Sequence, residues 1–461
     1  MKTKELMLFA ALLAATPAIA QAQAAPSPGD AAAAAASAPA ALPDALAIAN
    51  ALLDHLDAHD YAAAEALFGA RMAAAVPADR LQAVWESLPT QAGEAKGRGE
   101  PVLERQGDVQ LATVPLHFAQ AELLAKVVVG ADGRIEGFLV QPAPPPAAAA
   151  PAADAAFTER DLAVGAGERA LPGTLALPKG DAPAAGWPAI VLVHGSGAQD
   201  RDETIGPNRP FLDIARGLAA QGVAVLRYDK RSKARPQDYA DGNVTIDNET
   251  TDDAVAAVQA LRAVPGIDPR RVFVLGHSQG GMMAPRIAAH AAQAGAPLAG
   301  IVLMAAPSRK LLDILVEQQR RVAVLDDGHI GDEEAAAIAT LERQVAAVRA
   351  GGDVAIENSP LKQPAAYWRS TDAVDPVAEA KADALPMLVL QGARDIQVVD
   401  ADWQGWKAAF HDDPGTTFKL YPALNHLGIA GEGDGNLAEY SKPGHVDAQL
   451  VDDVAAWIGA H

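Results

Sequence analysis

Six short aliphatic runs, spread over roughly the last three hundred residues with helical stretches between them, constrain this chain most. They are "AIVLVHG", "VAVLRYD", "VFVLGHS", "GIVLMAAP", "MLVLQGARD" and "FKLYPALNH". A strand with one face in water alternates apolar and polar residues, whereas a strand covered on both faces is apolar throughout. Runs of the second kind, separated by helices, predict an α/β domain: a mostly parallel central sheet with helices on both faces. In such sheets reactive groups gather beyond the C-terminal ends of the strands.

Between the strand near Ile301 and that near Met387 lie about 80 residues that contribute no strand. Much of this stretch, including "LLDILVEQQRRVAVL" and "GDEEAAAIATLERQVAAVRA", has helical periodicity. An insertion of that length beside the strand ends predicts a helical cap over about 308–380, with ordinary scaffold helices as the alternative for its outer part.

The residues before 157 divide differently. Two Ala/Pro-rich tracts, a tether over 25–43 and a stiff linker over 141–156 ("QPAPPPAAAAPAADAA"), flank a unit at 44–140. In that unit "DALAIANALLDHLDAHD" places Leu46, Ile48, Leu52, Leu53 and Leu56 near one helical face, and a second amphipathic segment surrounds Trp85. The stretch "ELLAKVVVGADGRIEGFLV" reads as a hairpin turning at Asp132-Gly133. The expectation is a small α+β domain preceding the α/β domain of 157–461.

The first 24 residues read as an export signal. Lys2 and Lys4 precede the apolar run Leu6 to Ala15, and two small-x-small sites follow, at Ala18-Ile19-Ala20 and Ala22-Gln23-Ala24. No later stretch is long and apolar enough to anchor the chain in a membrane. With no cysteine, the chain has no disulfides, thiolate metal sites or cysteine-linked lipid, which suits an exported protein in a periplasm-like compartment or beyond. A formal charge of −21 argues against a nucleic-acid partner, because phosphate binding needs clustered Lys and Arg; the acidity serves solubility.

"VLGHSQGGMM" carries the chemistry. Gly276-His277-Ser278-Gln279-Gly280 matches G-x-S-x-G, and ten serines among 39 glycines give about 0.07 such matches by chance. The strand-like "RRVFVL" precedes it and the helical "GGMMAPRIAAHAA" follows. Strand, tight turn and helix are what a nucleophile elbow requires, and the helix N-terminus then favours developing negative charge at Ser278. Pro285, in the second turn of that helix, predicts a local kink.

A serine hydroxyl attacks well only when a base takes its proton. Of the histidines after Ser278 (His290, His329, His411, His426, His445 and His461), only His426 follows a strand directly and enters a glycine-rich loop. The base needs a carboxylate to fix its tautomer. Asp395 ends the strand "MLVLQGARD" 31 residues before His426, with Asp400 and Asp402 as rivals. An oxyanion hole needs two backbone donors. The Gln279 N–H, directly after the nucleophile, is one, and the Ser196 N–H, in the loop of "AIVLVHGSGAQDRD", is the other.

Other features point elsewhere or nowhere. His55 and His59 are spaced to share a helix face, but no third ligand stands near them, so a solvated face is expected there. "YDKRSKARP" is basic, short and follows a strand, which suits a loop on the active-site side. Without G-x-G-x-x-G or a P-loop, no nucleotide cofactor is indicated.

Residues from about Asp161 to His461 resemble the α/β-hydrolase superfamily, within it the bacterial serine esterases related to dienelactone hydrolase and prolyl-oligopeptidase-type domains. The resemblance rests on "VLVHGSGAQDRDETIGPN", "GVAVLRYDKRS", "VFVLGHSQGGMMAPRIA", "LVLQGARDIQV" and "YPALNHL". It implies a triad of Ser278, Asp395 and His426, no metal or organic cofactor, and carboxylesterase activity on a small-molecule ester of short acyl length. Dienelactone hydrolases proper use a cysteine nucleophile, so lactone chemistry does not carry over. Some members have a small N-terminal α+β domain, which residues 44–140 resemble. A peptidase or aminoacyl hydrolase with the same triad, and an inactive binding protein on the same fold, are the alternatives. The sequence does not set the oligomeric state, a homodimer being one option.

Overall fold

The computed structural model describes residues 43–106, 109–143, 148–325 and 328–461. The expected export signal, the tether up to residue 42 and residues 144–147 of the linker lie outside them. The described residues fall into two compact units, one up to residue 143 and one from residue 148 onward.

The smaller unit is α+β. Helices α1 (Ala45–Asp57), α2 (Tyr61–Ala66), α3 (Ala70–Ala75) and α4 (Ala78–Ala92) precede strands β1 (Ala95–Arg98), β2 (Val102–Gln106), β3 (Val109–Phe118), β4 (Glu122–Val129) and β5 (Ile135–Pro142). Asp44 and Asp60 cap α1 and α2, each carboxylate accepting a backbone N–H at 3.1 Å. The sheet runs β1-β3-β4-β5, with β2 also on β3, and every pairing is antiparallel. Alternation along β3 and β4 turns Ala112, Val114, Leu116, Ala125 and Val127 into one core with Leu52, Leu53 and Leu56 of α1. The β4–β5 hairpin turns at Asp132-Gly133, where Gly133 takes φ +78°. Two details differ from the sequence reading. The buried face of α1 uses Ala45 and Ala49, with Leu46 and Ile48 only partly buried. His59 lies past the end of α1 at φ +59°, bonded to the Tyr61 hydroxyl, so it shares no helix face with His55.

The larger unit is an eight-stranded sheet in the order β13-β12-β11-β10-β8-β9-β7-β6. Its strands are β6 (Phe157–Asp161), β7 (Gly173–Pro178), β8 (Trp187–Val193), β9 (Ala224–Tyr228), β10 (Ile267–His277), β11 (Gly300–Met304), β12 (Met387–Gly392) and β13 (Thr416–Tyr421). From β9 across to β13 neighbours are parallel, while β7 and β6 are antiparallel additions at one edge.

The aliphatic runs are continuous because alternate residues feed two separate cores. Ile190, Leu192, Phe273, Leu275, Leu388 and Leu390 pack with α5 (Pro210–Ala220) on one face. Val191, Val193, Val274 and Val389 pack on the other with α7 (Asp252–Arg262) and α8 (Gln279–Gln293), beyond the short α6 (Arg231–Ala234). Between β11 and β12 the chain forms helices α9 (Leu311–Val324), α10 (Asp332–Ala350), α11 (Ala365–Ala373) and α12 (Pro376–Asp383). Helix α13 (Asp400–Phe410) follows β12, and α14 (Ala448–Ala460) closes the fold against α5.

Strand order places the site. After β9 the chain crosses back over β8 to form β10, so the turns leaving β8 and β10 diverge and leave a crevice at their C-terminal ends. Register makes this concrete: Val193 is level with Gly276, so Gly195 and Ser278, each two residues further on, are brought side by side.

Candidate active site

Ser278 links the end of β10 to the start of α8 with φ +52° and ψ −119°. A residue with a Cβ avoids that region unless its surroundings over-determine it, at a cost of order 1–3 kcal/mol. The glycines explain how the turn closes. A Cβ on Gly276 would run into the Gly280 backbone, and one on Gly280 into the Val193 carbonyl. The Ser278 N–H is held by the Met304 carbonyl of β11 at 2.9 Å.

His426 follows β13 and is fully buried. Its Nδ1 donates to Asp395 Oδ2 at 2.7 Å, which leaves Nε2 as the lone-pair nitrogen of the neutral ring; among the described residues that atom has no hydrogen-bond partner. Asp395 is fixed in turn. Its Oδ1 accepts the Gln397 and Val398 N–H groups at 2.8 and 3.0 Å, and its Oδ2 also accepts from Gln391 Nε2 at 3.3 Å. The two rival carboxylates are engaged elsewhere: Asp402 is buried against Arg309 and the Ser308 N–H, and Asp400 accepts from Gln404 on α13. Three other histidines after Ser278 are engaged elsewhere. His445 faces Asp213, His411 faces Asp412, and His461 stacks on Trp457.

The loop after β8 reaches over the serine, since a Cβ built on Gly195 would lie 3.3 Å from the Ser278 Cβ. Among the described residues none accepts a hydrogen bond from the Ser196 or the Gln279 backbone N–H. Two donors beside the serine therefore stand uncommitted.

A buried polar cluster behind these atoms has no counterpart in the sequence reading. Glu203, fully buried at φ +51°, accepts the Gly195 N–H at 2.6 Å and sets its other oxygen 3.0 Å from His277 Nδ1. That second contact is a close ion pair and lacks the alignment of a hydrogen bond. His277 Nε2 donates to the His426 carbonyl at 2.9 Å. Burial alone would keep His277 neutral, but the Glu203 carboxylate outweighs it and raises the imidazole pKa. Burial likewise works against the Glu203 charge, and His277 with the Gly195 N–H brings its pKa below the usual range. On the other side Lys230 Nζ donates to the Gly195 carbonyl at 2.8 Å and pairs with Glu249 at 3.0 Å. Tyr367 of α11 accepts from Gln279 Nε2 at 2.7 Å, tying a helix of the insertion to the elbow. The signal for Glu203 and Lys230 was present in their loops, directly after strand ends, but not the direction of their side chains.

This chain belongs to the alpha/beta hydrolase family, whose family profile matches residues 190–451. It is 31% identical over 408 residues to Esterase EstD of Thermotoga maritima, covering 88% of this chain and 93% of that protein. It is also 32% identical over 146 residues to the putative esterase NocK of Nocardia uniformis, covering 30% of this chain and 39% of the other. Among solved structures, an esterase from Pyrococcus furiosus aligns with a TM-score of 0.41 at 14% identity, over 69% of this chain and 97% of that one. Residues 49–138 match a family of proteins of unknown function, DUF3887. No helix among the described residues is long and apolar enough to cross a membrane.

Proposed function

We propose that this protein is a carboxylesterase-type serine hydrolase, working through an acyl-enzyme on small carboxylic esters. The observation that carries the reading is the buried Asp395–His426 pair, packed on His277, the residue before a serine held in an elbow at φ +52°. The full-length similarity to Esterase EstD supports the ester as the substrate class.

In this reading His426 Nε2 takes the Ser278 proton as Oγ bonds to the ester carbonyl carbon, and the carbonyl oxygen becomes an oxyanion. The Ser196 and Gln279 N–H groups donate to that oxyanion. Collapse breaks the carbon–oxygen bond to the alcohol, which leaves with the proton from His426. Water, deprotonated by the same nitrogen, then attacks the acyl-enzyme and releases the acid and Ser278. Asp395 holds the His426 tautomer and stabilises the imidazolium formed in each half-reaction.

Ser278→Ala should lower turnover of p-nitrophenyl acetate by roughly 10⁴- to 10⁶-fold, because triad members act as a unit. Near wild-type turnover in a folded Ser278→Ala protein would end this assignment. The sequence of residues 1–24 supports the further proposal that the chain is exported, and cell fractionation leaving the uncleaved protein in the cytoplasm would contradict it.

A further inference from the structure

Lys230 is the least expected member of the buried cluster. It follows β9 and is 2% exposed, yet it carries a charge into a site packed by Gly195, Glu249 and Gln279. A buried ion pair is a weak stability device, because desolvation offsets most of the Coulomb gain and a well-packed apolar pair often serves as well. The ammonium has three oxygen contacts: hydrogen bonds to the Gly195 carbonyl at 2.8 Å and, at the long limit of 3.5 Å, to Gln279 Oε1, and an ion pair with Glu249 Oε1 at 3.0 Å. One of the three, the Gly195 carbonyl, lies in the peptide of an uncommitted donor, and another is the side chain of Gln279, whose backbone carries the second donor.

The Gly195 carbonyl and the Ser196 N–H share one peptide plane. In a trans peptide these groups point in opposite directions, so fixing the oxygen fixes the hydrogen. The local backbone cannot do this unaided. Gly195 precedes Ser196 and Gly197 follows it at φ +92°, and glycines leave such a peptide free to turn over. The preceding peptide is held as well, its Gly195 N–H bonded to Glu203 at 2.6 Å. A turned-over peptide would aim the Gly195 oxygen at the place where negative charge develops.

We propose that Lys230 is the positioning residue of the oxyanion hole: its ammonium holds the Gly195 carbonyl so that the Ser196 N–H faces the oxyanion on the Ser278 adduct. The proposal rests on the serine-hydrolase reading above. The cation also polarises the peptide it touches, which makes the N–H of the same plane a stronger donor.

The test uses the full chain with Lys230→Met and with Lys230→Met/Glu249→Gln, the second avoiding an unpaired buried carboxylate. Folding is checked by thermal unfolding. For a folded variant kcat on p-nitrophenyl acetate should fall about 30- to 300-fold with KM within about threefold, as expected when one oxyanion donor is misdirected. Affinity for an alkyl trifluoromethyl ketone, which forms an oxyanion on the serine, should weaken by a similar factor. A folded variant with kcat within about threefold of wild type would overturn the proposal. Loss of kcat with unchanged ketone affinity would overturn it too, since the defect would then lie outside the hole. If neither variant folds, a crystal structure of the wild-type protein phosphonylated by a fluorophosphonate decides. The expected result has Lys230 on the Gly195 carbonyl and the Ser196 N–H on the phosphonyl oxygen; a released lysine or a turned-over peptide refutes it. Failure of the underlying reading is separately visible, because the phosphonyl group would then not be on Ser278.

Discussion

His194→Phe should remove much of the acid sensitivity of this fold. His194 ends the run of β8, is fully buried, and packs its ring 5.2 Å from Phe211 and 5.3 Å from Tyr228. Neither ring nitrogen has a hydrogen-bond partner among the described residues. Burial, reinforced by the nearby Lys230 charge and only partly opposed by Glu203, Asp200 and Asp229, lowers its pKa from 6.5 to about 4. In the unfolded chain the imidazole titrates near 6.5, so between that pH and 4 the unfolded state binds the extra proton and stability falls as the medium is acidified. The contribution is intact above pH 6.5. Integrated over the window it amounts to about 2 kcal/mol lost between pH 7 and pH 5, and about 3 kcal/mol by pH 4. The phenyl ring has nearly the same shape and cannot titrate. Denaturant unfolding of both proteins at pH 7, 6, 5 and 4 isolates the effect as a difference in slope, because every other group is common to the two. Parallel stability curves for the two proteins would show that His194 does not stay neutral in the fold. The absolute stability at pH 7 is not the criterion, since repacking shifts it by its own amount.

Asp395→Asn keeps the shape of the acid but reverses a donor and an acceptor at His426 Nδ1, so kcat should drop by about 10⁴-fold with KM little changed, measured on a soluble ester. Retention of a tenth of the activity would show that another group orients the imidazole. Glu203→Gln removes the anion that raises His277. A histidine with a raised folded pKa contributes stability that is complete below its unfolded value and lost as pH rises through the folded one, so the wild type should lose stability on that alkaline side. Glu203, lowered in the fold, contributes above its unfolded pKa and loses that contribution as pH falls through the folded value. Unfolding curves of Glu203→Gln should lack both the His277 alkaline loss and the Glu203 acid loss; curves superimposable on wild type in shape would refute the ion pair.

Those three perturbations differ in how visible their targets were beforehand. Five of the six aliphatic strands were legible because burial on both faces leaves an unbroken apolar run, whereas β13, expected to be buried as well, is an edge strand with Lys419 and Leu420 exposed. Ser278, Asp395 and His426 stood out because each follows such a run by a few residues, and the sheet brings Asp395 and His426 into contact across 31 residues of sequence. Strands β6 and β7 were not legible. "FTERD" is a half-exposed edge strand whose pairing partner, not its composition, makes it a strand. Glu203 looked like one acid among several in "GAQDRDE", and its inward turn depends on a positive φ that no composition announces. The basic run "YDKRSKARP" was read as one loop, yet its members part company. Lys230 goes inward to Gly195 and Glu249, while Arg231 and Arg235 bind Asp238, Arg231 also reaching Asp253.

The site is held from two directions, and a buried cluster behind the serine joins them. On the base side, Asp395 accepts four donors, and Arg394 beside it clamps the histidine loop through the Gly433 and Glu432 carbonyls and the Glu439 carboxylate. On the oxyanion side, Lys230 and Glu203 grip the carbonyl and the N–H of Gly195. Glu203 then meets His277, and His277 binds the carbonyl of His426 itself, so a buried ion pair joins the Ile205–Leu427 packing and the Asn208–Tyr440 hydrogen bond in bracing the loop after β8 against the loop after β13. The serine between them contributes a hydroxyl and a strained turn. Catalytic geometry at the sub-ångström level needs the glycine-rich loop and the histidine loop held in one relative position, and this cluster supplies part of that hold. A charge buried at Glu203 therefore has a reason to be there that its cost in desolvation does not cancel.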